Sequence, residues 1–217
     1  MTDFAERRRV MVDTQIRPSD VTKFPIIKAM LEVKREAYVP GALQEAAYTG
    51  ENIVLDGGRV MLEPRTLAKM LDAVDISNDD LVLDIGCTYG YSSAVVARIA
   101  QAVVAVEEDA SMAAEAQNNL VDAGEDNVIV HTGALAAGAP EHGPYDVILV
   151  QGGVADLPQA LVEQLKDGGR IVCLFMQDAL GVVRIGYKSG ANVSWRFEFN
   201  AGAPVLPGFE KQPAFAL

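Results

Sequence analysis

The sequence predicts an α/β fold with a mostly parallel central sheet, helices on both faces and a helical N-terminal appendage. Three observations predict it. From Leu81 onward, short and almost continuously apolar segments alternate with helical ones, the pattern of strands buried on both faces. Within that region, Leu81–Ile85 runs through a small-residue turn into a helix, and the next apolar strand ends in Glu107-Glu108-Asp109. After Phe175 the pattern changes to two alternating stretches with a turn between them, which predicts an antiparallel pair at the sheet edge.

The elements follow in order. Residues 3–14 form a charged helical segment, and Val21–Val33 is amphipathic, with Phe24, Ile27, Met30 and Leu31 on one side. Tyr38–Glu63 lacks a helical period and carries Pro40 and Gly57-Gly58, so it reads as a loop with short extended pieces. Pro64 suits the first turn of a helix reaching Val74, with Leu67, Met70 and Leu71 inward. Strands are then expected at 81–85, 103–106, 128–131, 146–151 and 169–175, with helices at 92–100, 111–123 and 158–164 between them. Val182–Tyr187 and Val193–Asn200 supply the antiparallel pair. No repeat or low-complexity linker interrupts the chain. The expected organisation is one domain over 1–217: N-terminal helices and loop to 75, a core from 76 to 176, and C-terminal strands and tail from 177.

Composition narrows the function. The 217 residues suffice for one α/β core, and half of them are hydrophobic. A net charge of −12 opposes general nucleic-acid affinity, which needs a contiguous basic surface. The basic run Arg7-Arg8-Arg9 reads as a solvated helix face. Cys87 and Cys173 lie far apart and are expected as reduced thiols. His131 and His142 have no matching ligand spacing, so no metal is expected. No apolar run is long enough to span a bilayer and the first residues are too charged for a signal segment, so no membrane partner and a cytoplasmic location are expected.

The strand–turn–helix–strand–acid unit is how α/β folds hold a nucleoside. The turn lets backbone approach the ligand, and the acid at the second strand's tip takes the ribose hydroxyls. Gly86 and Gly90 are present, but Thr88 stands between them and no G-x-G-x-x-G can be drawn. This spacing argues against a dinucleotide, and a nicotinamide-dependent oxidoreductase is disfavoured with it. S-adenosylmethionine is the better fit. Glu107 is then placed for the ribose diol, backbone around Gly86–Gly90 for the methionine tail, and Asp84 for the loop or the ammonium. Cys87 reads as a small side chain beside the ligand rather than a reactive thiol.

Met11-Val12-Asp13-Thr14-Gln15-Ile16, Arg35-Glu36-Ala37-Tyr38-Val39-Pro40, Leu83-Asp84-Ile85-Gly86 with Gly90-Tyr91, Val106-Glu107, Gly143-Pro144-Tyr145-Asp146-Val147-Ile148 and Gln164-Leu165-Lys166-Asp167-Gly168-Gly169-Arg170 together carry a resemblance. Through these segments the chain resembles the protein-L-isoaspartate O-methyltransferase family, as a divergent member, up to about Phe175. The resemblance implies a Rossmann-like S-adenosylmethionine-dependent methyltransferase fold. It implies transfer of a methyl group to the carboxylate of an isoaspartyl residue, in protein repair, with a protein or peptide as acceptor and S-adenosylhomocysteine as product. The implied cofactor side comprises Asp84, Gly86, Cys87, Thr88, Gly90, Glu107, Glu108, Gly133, Ala134 and Gln151.

The departures fall on the chemical segments. The family's Gly-Gln-Thr-Ile-Ser-x-Pro, whose hydroxyl lies against the substrate carboxylate, aligns with Gly58-Arg59-Val60-Met61-Leu62-Glu63-Pro64. Threonine and serine have become Val60 and Leu62, which leaves Arg59, Val60 and Leu62 as the acceptor-side candidates. The glycine–aspartate step that binds near adenine aligns with Gly133-Ala134, and its carboxylate is gone. A carboxylate acceptor is already ionised at neutral pH and needs no general base, so a lost hydroxyl weakens positioning rather than removing a base. Arg59 is the nearby group able to replace that donor; the alternative is a surface arginine in a loop. Two further readings stay open: a non-catalytic descendant using the fold for binding or scaffolding, and a methyltransferase for another acceptor.

Overall fold

The computed structural model describes residues 3–211. Its centre is a seven-stranded sheet. The strands are β3 (Leu81–Ile85), β4 (Ala102–Glu107), β5 (Val128–Thr132), β6 (Tyr145–Val154), β7 (Leu165–Gln177), β8 (Leu180–Ser189) and β9 (Asn192–Ala201), and they lie in the order β5-β4-β3-β6-β7-β8-β9. The first five in that order are parallel, while β8 and β9 continue from β7 as an antiparallel meander. A separate ribbon joins β1 (Ile53–Val54) to β2 (Val60–Met61). Each expected strand is present, most of them longer than the apolar run itself. Backbone pairing carries a strand past its apolar residues as long as a neighbour supplies hydrogen bonds, and β4 therefore includes Glu107.

Both faces of the sheet are buried, and the strands alternate between them. Val82, Val103, Ala105, Val147 and Leu149 face one apolar cluster; Leu83, Ile85, Val104, Val106 and Ile148 face the other. This is the period of two of a pleated strand, with apolar residues on both sides.

The helices are α1 (Phe4–Met11), α2 (Phe24–Glu32), α3 (Pro64–Val74), α4 (Tyr91–Ala97), α5 (Ala110–Ala123) and α6 (Gln159–Glu163). The first continues through a wider turn, Val12–Ile16, so the charged N-terminal segment is helical over nearly its expected length. Pro64 does open α3, whose buried face includes Leu67, Met70 and Leu71. At α5, Asp109 caps the start by accepting from Ser111 N and Met112 N, both at 2.9 Å, and Gly124 ends it in the left-handed conformation. The expectation of a solvated arginine run needs correction at Arg8, which is buried against the neighbourhood of Glu36. Arg7 and Arg9 pair with Glu45 and Glu6 at the surface. No helix among the described residues is long and apolar enough to cross a membrane.

The chain runs outward from β3 to β4 and β5, then returns to lay β6 on the other side of β3. Ligands of open α/β sheets bind where strand order reverses, beyond the carboxyl ends of the strands. In this fold that point lies above Ile85, Glu107 and Gln151.

Candidate functional site

The turn from β3 into α4 is shaped by its backbone. Gly86 (φ +81°) and Gly90 (φ +94°) occupy the left-handed region, as does Thr88 (φ +52°), a costly conformation for a β-branched residue. Gly86 N and Cys87 N donate to Val106 O at 2.8 and 3.2 Å, which fixes the turn to the end of β4.

Asp84 lies beneath the turn, fully buried, and organises its surroundings. One carboxylate oxygen accepts from Ser92 Oγ and Ser93 Oγ, both at 2.6 Å, and the other from Gln151 Nε2 at 2.7 Å. Burial raises its pKa, against the three donors, which lower it. Asp84 thus ties β3, α4 and β6 together. Cys87 Sγ is also buried; desolvation pushes the thiol well above its ordinary pKa, which fits a packing role and not a nucleophile.

Glu107 is fully buried at the tip of β4, and its carboxylate is already satisfied. Arg59 donates Nη1–H to Oε1 at 2.7 Å and Nη2–H to Oε2 at 3.0 Å, a two-pronged pair. Thr88 N adds a hydrogen bond to Oε2 at 2.8 Å, and Glu108 N and Asp109 N reach Oε1 at 2.9 and 3.2 Å. Of the two readings of Arg59, the surface arginine is overturned, because Arg59 is only 3% exposed. A carboxylate this deep is stable only with donors around it, and among the described residues the guanidinium is the one positive charge paired with it.

The remaining space is filled by apolar groups. A side chain on Gly86 would come within 2.8 Å of Arg59 Nη2 and 3.5 Å of Leu206 Cδ1; one on Gly152 would lie 2.6 Å from Leu206. Leu206 belongs to the tail, which folds back on β6: Gly153 N donates to Pro204 O and Leu206 N to Gly153 O. Val60 and Leu62 are buried, and Arg35, itself fully buried, donates Nη2–H to Leu62 O at 2.7 Å. The cavity left between Val60, Leu62, Gly86, Thr88 and Gln151 is about 10 Å³. That is room for one water at most, where small-molecule sites run to about 300–1,000 Å³.

The fold therefore gathers the cofactor-side residues inferred from sequence. Asp84, Gly86, Cys87, Thr88, Gly90, Glu107 and Glu108 meet at the ends of β3 and β4, with Gln151 on β6. Gly133, just after β5, donates its N–H to Glu107 O at 3.0 Å, and Ala134 follows it. Acceptor-side Val60 and Leu62 lie against the same turn. Sequence reasoning missed Ser92, Ser93 and Leu206. The two serines carry a signal, being one and two residues past Gly90-Tyr91 at the start of a helix; Leu206 carries none. In this arrangement Arg59 occupies the Glu107 carboxylate, and the cavity against the turn is smaller than a nucleoside.

The chain matches the model of the family Protein-L-isoaspartate(D-aspartate) O-methyltransferase (PCMT) over residues 6–193. It is 36% identical over 205 residues to protein-L-isoaspartate O-methyltransferase 2 of Pelobacter propionicus, covering 91% of each chain. To the protein-L-isoaspartate O-methyltransferase of Pelotomaculum thermopropionicum it is 37% identical over 193 residues, 87% of this chain and 84% of that one. Among solved structures, a protein-L-isoaspartate O-methyltransferase superposes with a TM-score of 0.80 at 26% identity, over 93% of this chain and 66% of that one. The Plasmodium falciparum beta-aspartate methyltransferase (PCMT) in complex with S-adenosyl-L-homocysteine shares the fold, with a TM-score of 0.79 at 17% identity over 95% and 99% of the two chains. By these matches the chain belongs to the protein-L-isoaspartate O-methyltransferase family, whose methyl donor is S-adenosyl-L-methionine.

Proposed function

We propose that this chain is a non-catalytic member of its family, a methyltransferase fold kept as a binding or scaffolding module. The observation that carries the reading is the buried pair between Arg59 and Glu107. In the proposed role Glu107 is the ribose ligand, and a ligand diol would have to displace a guanidinium making two charge-assisted hydrogen bonds. Displacement also gives up a buried ion pair, of the kind in which removing one partner costs about 3–5 kcal/mol. The sequence changes support the same reading. Val60 and Leu62 give an acceptor carboxylate no hydroxyl, and Ala134 gives adenine no carboxylate. The tail that seats Leu206 on the turn lies beyond the stretch matching the family.

A second reading rests on the loop that bears Arg59. Gly57 (φ +65°) and Gly58 (φ +73°) precede it, both unburied, with nothing within 4 Å of a Cβ on Gly58. Such a pair can act as a hinge, and the arginine is then a latch on a working enzyme that methylates an isoaspartyl or related carboxylate.

Calorimetry with S-adenosylhomocysteine on the wild type and on Arg59→Gly separates the two. The non-catalytic reading expects no wild-type binding, and binding in the variant once the arginine is gone. Wild-type binding favours the latch. Transfer of labelled methyl from S-adenosylmethionine to an isoaspartyl peptide, with the aspartyl peptide as control, completes the test. Robust wild-type turnover overturns the non-catalytic reading.

A further inference from the structure

The chain has two histidines, eleven positions apart in sequence, and the fold brings them to one place. His131 is in β5, at the sheet's parallel edge, paired in register with Val106. His142 ends the short turn Pro140–His142 in the connection to β6. Their rings meet edge to face with centroids 6.1 Å apart, and Glu141 Oε1 lies 3.1 Å from His131 Nδ1. One donor atom from each of the three lies within 4.8 Å of the others.

We infer that His131, Glu141 and His142 form a binding site for a divalent transition cation of the zinc class. The donor set decides the class. Two imidazoles and a carboxylate suit zinc and its neighbours, whereas magnesium and calcium prefer an all-oxygen shell. Zinc bonds of about 2.0–2.2 Å hold tetrahedral ligand atoms roughly 3.4 Å apart. His131 Nδ1 and Glu141 Oε1 lie 3.1 Å apart and one donor atom of each of the three lies within 4.8 Å of the others, so side-chain rotations on the order of an ångström are what tetrahedral spacing requires.

The supports are built rather than incidental. Gly133 leaves room for the His131 ring, since a Cβ there would lie 2.8 Å from Nε2; Nδ1 is thereby the atom turned to Glu141. The turn carrying Glu141 and His142 is held from below by buried side chains. Tyr145 Oη donates to Ala139 O at 2.5 Å, Gln164 Oε1 accepts from Ala139 N at 3.0 Å, and Gln164 Nε2 donates to Ala137 O at 2.8 Å. Two ligands thus sit on an anchored turn and the third on a strand, so little order has to be created on binding. Three protein ligands leave the remaining positions to water or a partner's side chain, as in open zinc sites. A bound ion would cross-link β5 to the loop before β6. The other soft donors, Cys87 and Cys173, are buried and do not compete in the folded protein.

The experiment uses the untagged full chain, stripped with a chelator and titrated with Zn2+ by calorimetry, and with Co2+ followed by visible absorption. The expected result is one Zn2+ per chain with Kd below about 100 µM, and Co2+ bands of reduced coordination symmetry. His131→Gln and His142→Gln should each weaken binding at least tenfold, and Glu141→Gln should weaken it less. Mg2+ should not compete. All three changes lie at the surface, and circular dichroism confirms that the variants fold. Zinc binding that the two histidine variants leave unchanged, or no saturable wild-type binding, overturns the site. So does full competition by Mg2+, which would mark a diffuse acidic surface.

Discussion

Arg59 and Glu107, 48 residues apart in sequence, share two hydrogen bonds of 2.7 and 3.0 Å in a setting where neither is more than 3% exposed. The arginine arrives from the loop between β1 and β2, and the glutamate from the tip of β4. Neither charge is stable there alone. The pair thus joins the N-terminal third of the chain to the carboxyl end of β4.

This predicts a large pairwise coupling. Arg59→Met should destabilise the fold by about 3–5 kcal/mol, because it leaves Glu107 buried with only backbone donors. The same change in a Glu107→Gln background should cost at least about 1.5 kcal/mol less. Urea unfolding of the four proteins measures the difference. Additive costs would mean that the two side chains do not depend on each other.

Asp84 predicts a different asymmetry. Asp84→Ala leaves two buried hydroxyls and an amide without their acceptor, at about 1–3 kcal/mol for each buried group left unpaired. Asp84→Asn should cost clearly less, since serine hydroxyls can rotate to accept and the Gln151 amide can turn over. Chemical denaturation ranks the variants. Equal costs would show that charge, not hydrogen-bond count, is what the turn requires.

Asp146 governs part of the acid response. Burial acts to raise its pKa, but the Leu81 N–H together with Lys166 and Arg170 holds it below the usual carboxylate range. A depressed folded pKa contributes stability that is present above the unfolded value, about 3.9, and is lost as pH falls through the folded one. Asp146→Asn should lower stability at pH 7 by about 1 kcal/mol and flatten the decline from pH 5 downward. Urea midpoints taken across that range test it; parallel curves for the two proteins would remove Asp146 from the acid response.

The sequence by itself determined the scaffold, because its signals are local and periodic. Apolar runs fixed five parallel strands, and Pro64 fixed the start of α3. The position of the nucleoside-type turn was legible as well, since Gly86, Gly90 and Glu107 stand at spacings that a strand–turn–helix–strand unit imposes. What occupies that turn was not. Arg59 reads equally well as a surface arginine or a substrate ligand, and only the approach of the β1–β2 loop to β4 buries it on Glu107. The same holds for Leu206 from the tail and for the meeting of His131 with His142. Such contacts join residues on different elements, and no periodicity records them. A charge's partner is chosen by where the folded backbone brings it, and burial then makes that choice expensive to reverse.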